Sequence, residues 1–445
     1  MSTRQMSLGL LIGYYGGSHA AAWLHPDNEL AQATDIEYYK RLIKIAEDGK
    51  FDLFFIADGL GVRMDKLNVH ARTPSFINQL EPLTLAANLA GFTDHIGVGA
   101  TVSTTYSEPY NVARSFASLD HISGGRAAMN IVTSSSDESA RCFGHEKLPS
   151  HTERYGRAKE FVSVLKKLWD SWGDDAFILD RSSGRAFDPS KQYAVHHHGR
   201  HFSLDGVLNI ARPPQGRPVI IQAGASDVGK DLAAESAEIV FVTGSTFEQA
   251  SAFYKDLKER MAKYGRHPDT MKILLGFPVI VADTDEEADT HYAELQALVH
   301  PDVAVLRLGV DLETDLSNLP LDQPIPLDRI PATSNLNSTY FNRIRNTIVS
   351  ENPTLGELAM RYQRGIQAHR GSSKKIADMM QSWFERGACD GFMLSFATLS
   401  DGLVKFVGDV VPDLQQRGVF RLNYSGKTLR DHLGLERPAH RHSDA

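Results

Sequence analysis

Cysteine is nearly absent: Cys142 and Cys389 are the two in 445 residues. Two thiols cannot build a disulfide framework, and no Cys-x-x-Cys pair is present to hold a metal. A reducing cytoplasm is the expected compartment. Excess positive charge is missing as well. The net charge is −8, so no global basic field invites nucleic acid or an anionic membrane. No apolar run approaches the roughly 20 residues that a membrane-spanning helix needs. The run Leu8–Tyr15, between Arg4 and Ala20–Ala22, imitates a secretory leader. Gly9 and Gly13 interrupt it, and a first buried strand is the expected reading. No G-x-G-x-x-G motif follows a strand, so nothing indicates a nicotinamide-binding domain.

What is present is ordinary soluble composition, 42% hydrophobic and 23% charged, arranged as short apolar runs alternating with helical patterns. Eight runs read as strands: Met6–Ile12, Phe51–Ala57, Ile96–Thr101, Ala127–Val132, Val219–Gln222, Ile239–Val242, Ile273–Val281 and Gly391–Ser395. Between them Ile36–Asp48 reads as a helix ending at Gly49. Ala158–Trp172 places Phe161, Leu165, Leu168 and Trp172 on one core-facing stripe. Eight such units predict an α/β fold, a (β/α)8 TIM barrel spanning residues 1–435, with chemistry at the C-terminal ends of its strands. Two polar stretches interrupt the rhythm, at about 173–218 and 300–369, and read as insertions. Residues 436–445 read as a flexible tail.

The expected strand ends carry small polar residues: Asp58, then Thr101 to Tyr106, then Asn130 to Ser135. Such a rim suits a ligand with many hydrogen-bonding edges. After the fifth strand, VIIQAGASDVGKD (Val219–Asp231) forms a strand, a glycine turn and a helix start. Gly224, Gly229 and Lys230 fit G-x-x-x-x-G-K, but a nucleotide P-loop needs Ser or Thr next, and Asp231 stands there. That argues against nucleoside triphosphate chemistry while leaving a turn able to bind phosphate through backbone N–H groups. Ser226 is either a phosphate donor or simply the helix cap. His151 and Tyr155 lie four residues apart and share a face if their helix begins early. Either both reach the same anion, or Tyr155 is a buried aromatic. His196–His198 catches the eye as a metal site, but neighbours on a strand point to opposite faces, so solvated loop histidines are expected and no metal is assigned. His19, in the loop after the first strand, either touches the ligand or is a structural loop histidine.

Five collinear segments resemble the luciferase-like flavin monooxygenases, in the branch with nitrilotriacetate, EDTA and dibenzothiophene-sulfone monooxygenases. They are FDLFFIADGL (Phe51–Leu60), EPYNVARSFASLDHISGGRAAMNIVTS (Glu108–Ser134), HTERYGRAKEFVSVLKKLWDSW (His151–Trp172), PVIIQAGAS (Pro218–Ser226) and LQQRGVF with LRDHLGL (Leu414–Phe420, Leu429–Leu435). The resemblance implies a luciferase-like barrel that binds reduced FMN as a diffusible co-substrate. A separate NAD(P)H:FMN reductase supplies it. Oxygen then adds at the flavin C4a, and the resulting hydroperoxide oxygenates a small organic substrate. It further implies that Asp58, Thr101 and Ser103 lie by the isoalloxazine. His151, Tyr155 and Ser226, with the Ala225 amide, hold the ribityl phosphate; Asn130 and Ser134 line the pocket between. Homodimers or homotetramers are implied as well. Met129 stands where the family often has Trp, and the loop from Tyr14 to Pro26 is particular to this chain. Scattered Arg and Lys favour an apolar or weakly polar substrate. The competing readings are a deazaflavin-dependent oxidoreductase on the same barrel, a non-catalytic flavin-binding protein, and a metal hydrolase using His196–His198.

Overall fold

A computed structural model describes residues 4–442, apart from 14, 15, 27, 30–32, 63, 65, 74–76, 225, 244, 245, 335–337 and 363–367. Eight parallel strands close into a barrel: β1 (Ser7–Ile12), β2 (Leu53–Ile56), β3 (Gly97–Ser103), β4 (Ala127–Val132), β7 (Val219–Ala223), β8 (Ile239–Thr243), β9 (Lys272–Ala282) and β11 (Gly391–Phe396). All eight expected strands are there. Neighbours pair in chain order, β8 pairs with β9, and β11 returns to β1 through Leu394↔Leu10, so the sheet has no free edge inside the barrel. The strands are apolar on both faces because helices cover the outside while side chains fill the inside. The interior is packed by Leu53, Phe55, Ala128, Ile221, Leu274 and Met393. Gly9 makes room for one of them, since a Cβ there would meet the Met393 sulfur at 2.8 Å.

The N-terminal mouth is plugged by the segment that carries the family-like ending. Leu429, Leu433 and Leu435 join the interior cluster, and a Cβ on Gly97 would meet Leu429 at 2.7 Å. Buried ion pairs fasten the plug: Arg430 with Glu238 at 2.7 Å and Arg421 with Asp52 at 2.5 Å. Leu429→Ala removes a fully buried side chain from this plug and is expected to cost about 2–5 kcal/mol. A urea-unfolding midpoint unchanged from wild type would contradict that role.

The excursion at 173–218 contains an antiparallel hairpin, β5 (Val195–His198) with β6 (Ser203–Gly206). On it His196 and His198 both face Asp205, at 2.7 and 3.3 Å, whereas His197 turns to Glu160 at 3.0 Å. His196 and His198 thus share one face of the hairpin and His197 takes the other, so the three rings do not meet at one point. Part of the expected tail is docked here: Arg437 donates to the Pro214 carbonyl at 2.9 Å, and His442 stacks on Tyr193 at 4.4 Å.

The second insertion folds around its own apolar cluster. Leu308, Phe341, Ile344, Leu355 and Leu358, from helices Pro301–Asp311, Ser338–Glu351 and Leu355–Arg361, pack together with Ala21 from the loop after β1. Arg307 donates to Thr73 at 3.3 Å and Asp315 pairs with Lys66, so this unit rests on the loops that follow β1 and β2. It ends in a strand absent from the sequence reading, β10 (His369–Ser372), which pairs with the far end of β9. Four residues, HRGS, carry too little apolar periodicity to announce a strand. Among the described residues no helix is long and apolar enough to cross a membrane.

Three histidines of this framework, His19, His369 and His432, have pKa values lowered to about 4, with burial as the leading cause. A base whose folded pKa lies below its ordinary 6.5 binds its proton first in the unfolded chain. Stability is therefore fully present above pH 6.5 and is lost as pH falls toward 4. Denaturation at a series of pH values is expected to show this loss, and a flat profile through that window would contradict it.

Candidate functional site

The small polar rim assembles where the barrel rule places it. Thr101 on β3 donates its hydroxyl to the Ile56 carbonyl at 2.9 Å and accepts from the Asn130 amide of β4 at 3.0 Å. This relay ties β2, β3 and β4 together just below the mouth. Higher up, the Ser103 and Ser134 hydroxyls meet at 2.8 Å. Asp58 lies two residues beyond β2, half-buried, and accepts from the Gly59 N–H at 2.9 Å. Burial pushes its pKa up, against that hydrogen bond, and the nearby Glu81 carboxylate adds to the rise.

Across the mouth lies the phosphate-type turn. Helix Asp227–Ser236 starts there, and Ser226 caps it by accepting the Gly229 N–H at 3.1 Å. The capping reading is thus realised, and it leaves the Ser226 hydroxyl proton available to a ligand. Tyr155 comes from helix His151–Trp169, which begins early enough to bring His151 over it, ring centroids 4.4 Å apart. A Cβ built on Gly229 would stand 3.0 Å from the Ser226 Oγ and 3.2 Å from the Tyr155 hydroxyl; one on Gly224 would stand 3.6 Å from that hydroxyl. Glycine at both positions keeps a small space open between two hydroxyls and a helix N-terminus. The pKa of His151 is lowered by partial burial and by the neighbouring Arg154. Ala225 lies outside the described residues.

Lys230 does not turn into this space. It pairs with Asp256 at 2.7 Å, while Asp231 pairs with Arg260 at 3.1 Å and Lys263 at 3.4 Å. Both residues of the near-P-loop therefore belong to the contact between neighbouring helices, which accounts for a carboxylate where a nucleotide site needs a hydroxyl.

His19 is placed apart from the phosphate-type turn. Its Nδ1 accepts the Ala21 N–H at 3.2 Å, and its Nε2 lies 3.1 Å from the Gln296 side-chain amide. Burial lowers its pKa most, with Arg307 and His291 adding to the effect. Its partners make it a joint between the loop after β1 and helix Asp285–Ala297.

Several residues at the rim escaped the sequence reading. Gln222, next to last on β7, donates to the Gly229 carbonyl at 2.9 Å. It lines a pocket with Thr104, Val132, Thr133, Tyr155 and Ala223. Its Oε1, like the Oδ1 of Asn130, is buried without a hydrogen-bond partner among the described residues. A polar residue inside the apolar run VIIQA was the available signal. Arg154 and Arg157 also reach the strand-end loops, from a helix whose apolar stripe drew attention to its other face.

Comparison with known proteins identifies the family. The family model for luciferase-like monooxygenases matches residues 16–330. The chain is 44% identical to N-acetyl-S-(2-succino)cysteine monooxygenase of Bacillus subtilis (strain 168), covering 99% of each. It is 43% identical to nitrilotriacetate monooxygenase component A of Aminobacter aminovorans, covering 98% of each. A solved riboflavin lyase, crystallised with modified FMN and riboflavin, superposes with a TM-score of 0.87 at 29% identity, covering 98% of this chain and 97% of that one. With a whole-length match, a closed barrel and a polar rim in the expected place, the chain belongs to the luciferase-like monooxygenases, in the branch that contains nitrilotriacetate monooxygenase, and is a monooxygenase.

Proposed function

We propose that this chain is the oxygenase of a two-component system: it takes reduced FMN from a separate NAD(P)H:FMN reductase and uses it with O₂ to oxygenate a small organic substrate. The observation that carries this reading is the space bounded by Gly224, Ser226, Gly229 and the Tyr155 hydroxyl. It has the donors and the helix dipole that a phosphate monoester needs. The unpartnered acceptors of Asn130 and Gln222 suit hydroxyl and N–H donors, such as those of a ribityl chain and a flavin ring.

When bound, the flavin supplies the oxygen activation. The chain's own work is positioning and exclusion of water. Tyr155 and Ser226 donate to the phosphate. His151, whose ring lies over that of Tyr155, offers a ring N–H to the same group. Asp58, its pKa raised by burial, is placed to accept or hold a proton at the β2 end of the rim. The 300–369 insertion roofs the loops after β1 and β2 and keeps bulk water from the mouth. The relatives named above act on N-acetyl-S-(2-succino)cysteine and nitrilotriacetate, and both compounds belong in a first substrate panel, beside the apolar substrates that the scattered cations of the sequence favoured.

Anaerobic titration with reduced FMN tests the cofactor, with reduced deazaflavin as competitor. Saturable binding of reduced FMN that the deazaflavin does not displace is expected. Preferential binding of the deazaflavin would replace this reading with hydride transfer on the same barrel.

A further inference from the structure

Ser134 breaks a backbone rule at the end of β4. Its φ is +54°, in the left-handed region that any residue with a Cβ enters at a cost. Its hydroxyl meets that of Ser103 at 2.8 Å, and its carbonyl accepts from Arg154 Nη1 at 2.6 Å. The same nitrogen lies 3.5 Å from the Thr133 carbonyl.

Arg154 is itself unusual. It is 6% exposed, and among the described residues its Nε has no hydrogen-bond partner and no carboxylate pairs with it. A guanidinium held in protein without a counter-charge is costly. Strained backbone at a functional rim persists only where its surroundings enforce it. One turn on, Arg157 treats the loop after β3 in the same way, donating to the carbonyls of Thr104 at 3.1 Å and Ser107 at 3.3 Å. Helix His151–Trp169 thus carries His151 and Tyr155 toward the phosphate-type turn. At the same time it clamps the two loops that bear Ser103 and Ser134.

We propose that Arg154 is a positioning residue: by pinning Ser134 in the left-handed conformation it presents the paired Ser103 and Ser134 hydroxyls to the part of the flavin remote from the phosphate. This rests on the FMN reading above. Arg154 acts through the turn and does not touch the phosphate.

The test compares FMN with riboflavin, which lacks the phosphate, in wild type, Arg154→Gln, Ser134→Gly and the double variant, by equilibrium fluorescence titration. Arg154→Gln is expected to weaken both flavins by the same factor, about tenfold. Glycine enters the left-handed region without strain, so in the Ser134→Gly background the same change is expected to cost less than about threefold. Loss of FMN affinity with riboflavin unaffected would overturn the proposal, because the guanidinium would then be acting on the phosphate. An equal loss in both backgrounds would overturn it too. Should Arg154→Gln fold only when Ser134 is glycine, the coupling is shown by stability instead. Folding in neither background would overturn it, since Arg154 would then be holding more than this turn. Wild type that binds neither flavin would defeat the FMN reading and this one together.

Discussion

Tyr155→Phe combined with Ser226→Ala is expected to weaken FMN binding about 10²- to 10⁴-fold and to leave riboflavin binding within about twofold of wild type. The Tyr155 hydroxyl and the Ser226 Oγ converge on one small space, 3.2 and 3.0 Å from the point where a Gly229 Cβ would sit. Each donates to a dianionic group there, and a hydrogen bond to a charged partner contributes about 1.5–3 kcal/mol. Ser226 also caps its helix, so Ser226→Ala alone is expected to lower stability by about 1 kcal/mol. Denaturation of the apo-protein measures that share separately. The riboflavin control is what decides: equal loss for both flavins would mean that the two hydroxyls support the turn and do not hold the phosphate.

Gly229→Ala carries the second large effect, and its value lies in opposing signs. Alanine is a better helix former than glycine by about 1 kcal/mol, and Gly229 lies in the first turn of helix Asp227–Ser236 with an ordinary negative φ. Its methyl, however, would fill the space between the two hydroxyls. The Ser226 and Tyr155 contacts at 3.0 and 3.2 Å are tight, and both neighbours must yield slightly. Apo-protein stability is therefore expected to stay within about 1 kcal/mol of wild type, while FMN affinity falls at least about tenfold. Thermal unfolding together with flavin titration separates the two. Retained FMN affinity would remove the cradle from the account.

The barrel was legible because its strands are buried on both faces. Ile239–Val242 reads as an unbroken apolar run and Val219–Gln222 as one interrupted only by its last residue, each bounded by glycine or polar residues, and no other element makes that pattern so economically. His151 and Tyr155 were legible for a related reason, since their four-residue spacing becomes a shared face once the helix, capped by Ser150, starts at His151. Gln222 and Arg154 were not. Gln222 stands out locally as a polar residue in an apolar run, but its partner Gly229 lies across a turn and that of Arg154, Ser134, across two loops, and nothing local in the sequence names those partners. His19 shows the limit from the other side. Its position in the loop after β1 left both readings open, and only the fold reveals the Ala21 and Gln296 contacts that occupy its ring nitrogens. The near-P-loop of Gly224 to Asp231 is similar, because a motif cannot show that Lys230 turns to Asp256.

One measurement bears most directly on the central claim of oxygen chemistry on protected reduced FMN. The chain is saturated anaerobically with reduced FMN, mixed rapidly with oxygenated buffer, and the return of oxidised-flavin absorbance is followed together with released hydrogen peroxide. The return is expected to be much slower than for free reduced FMN, with peroxide appearing only in that slow phase. Reoxidation at the rate of free reduced FMN, with peroxide released at once, would contradict it.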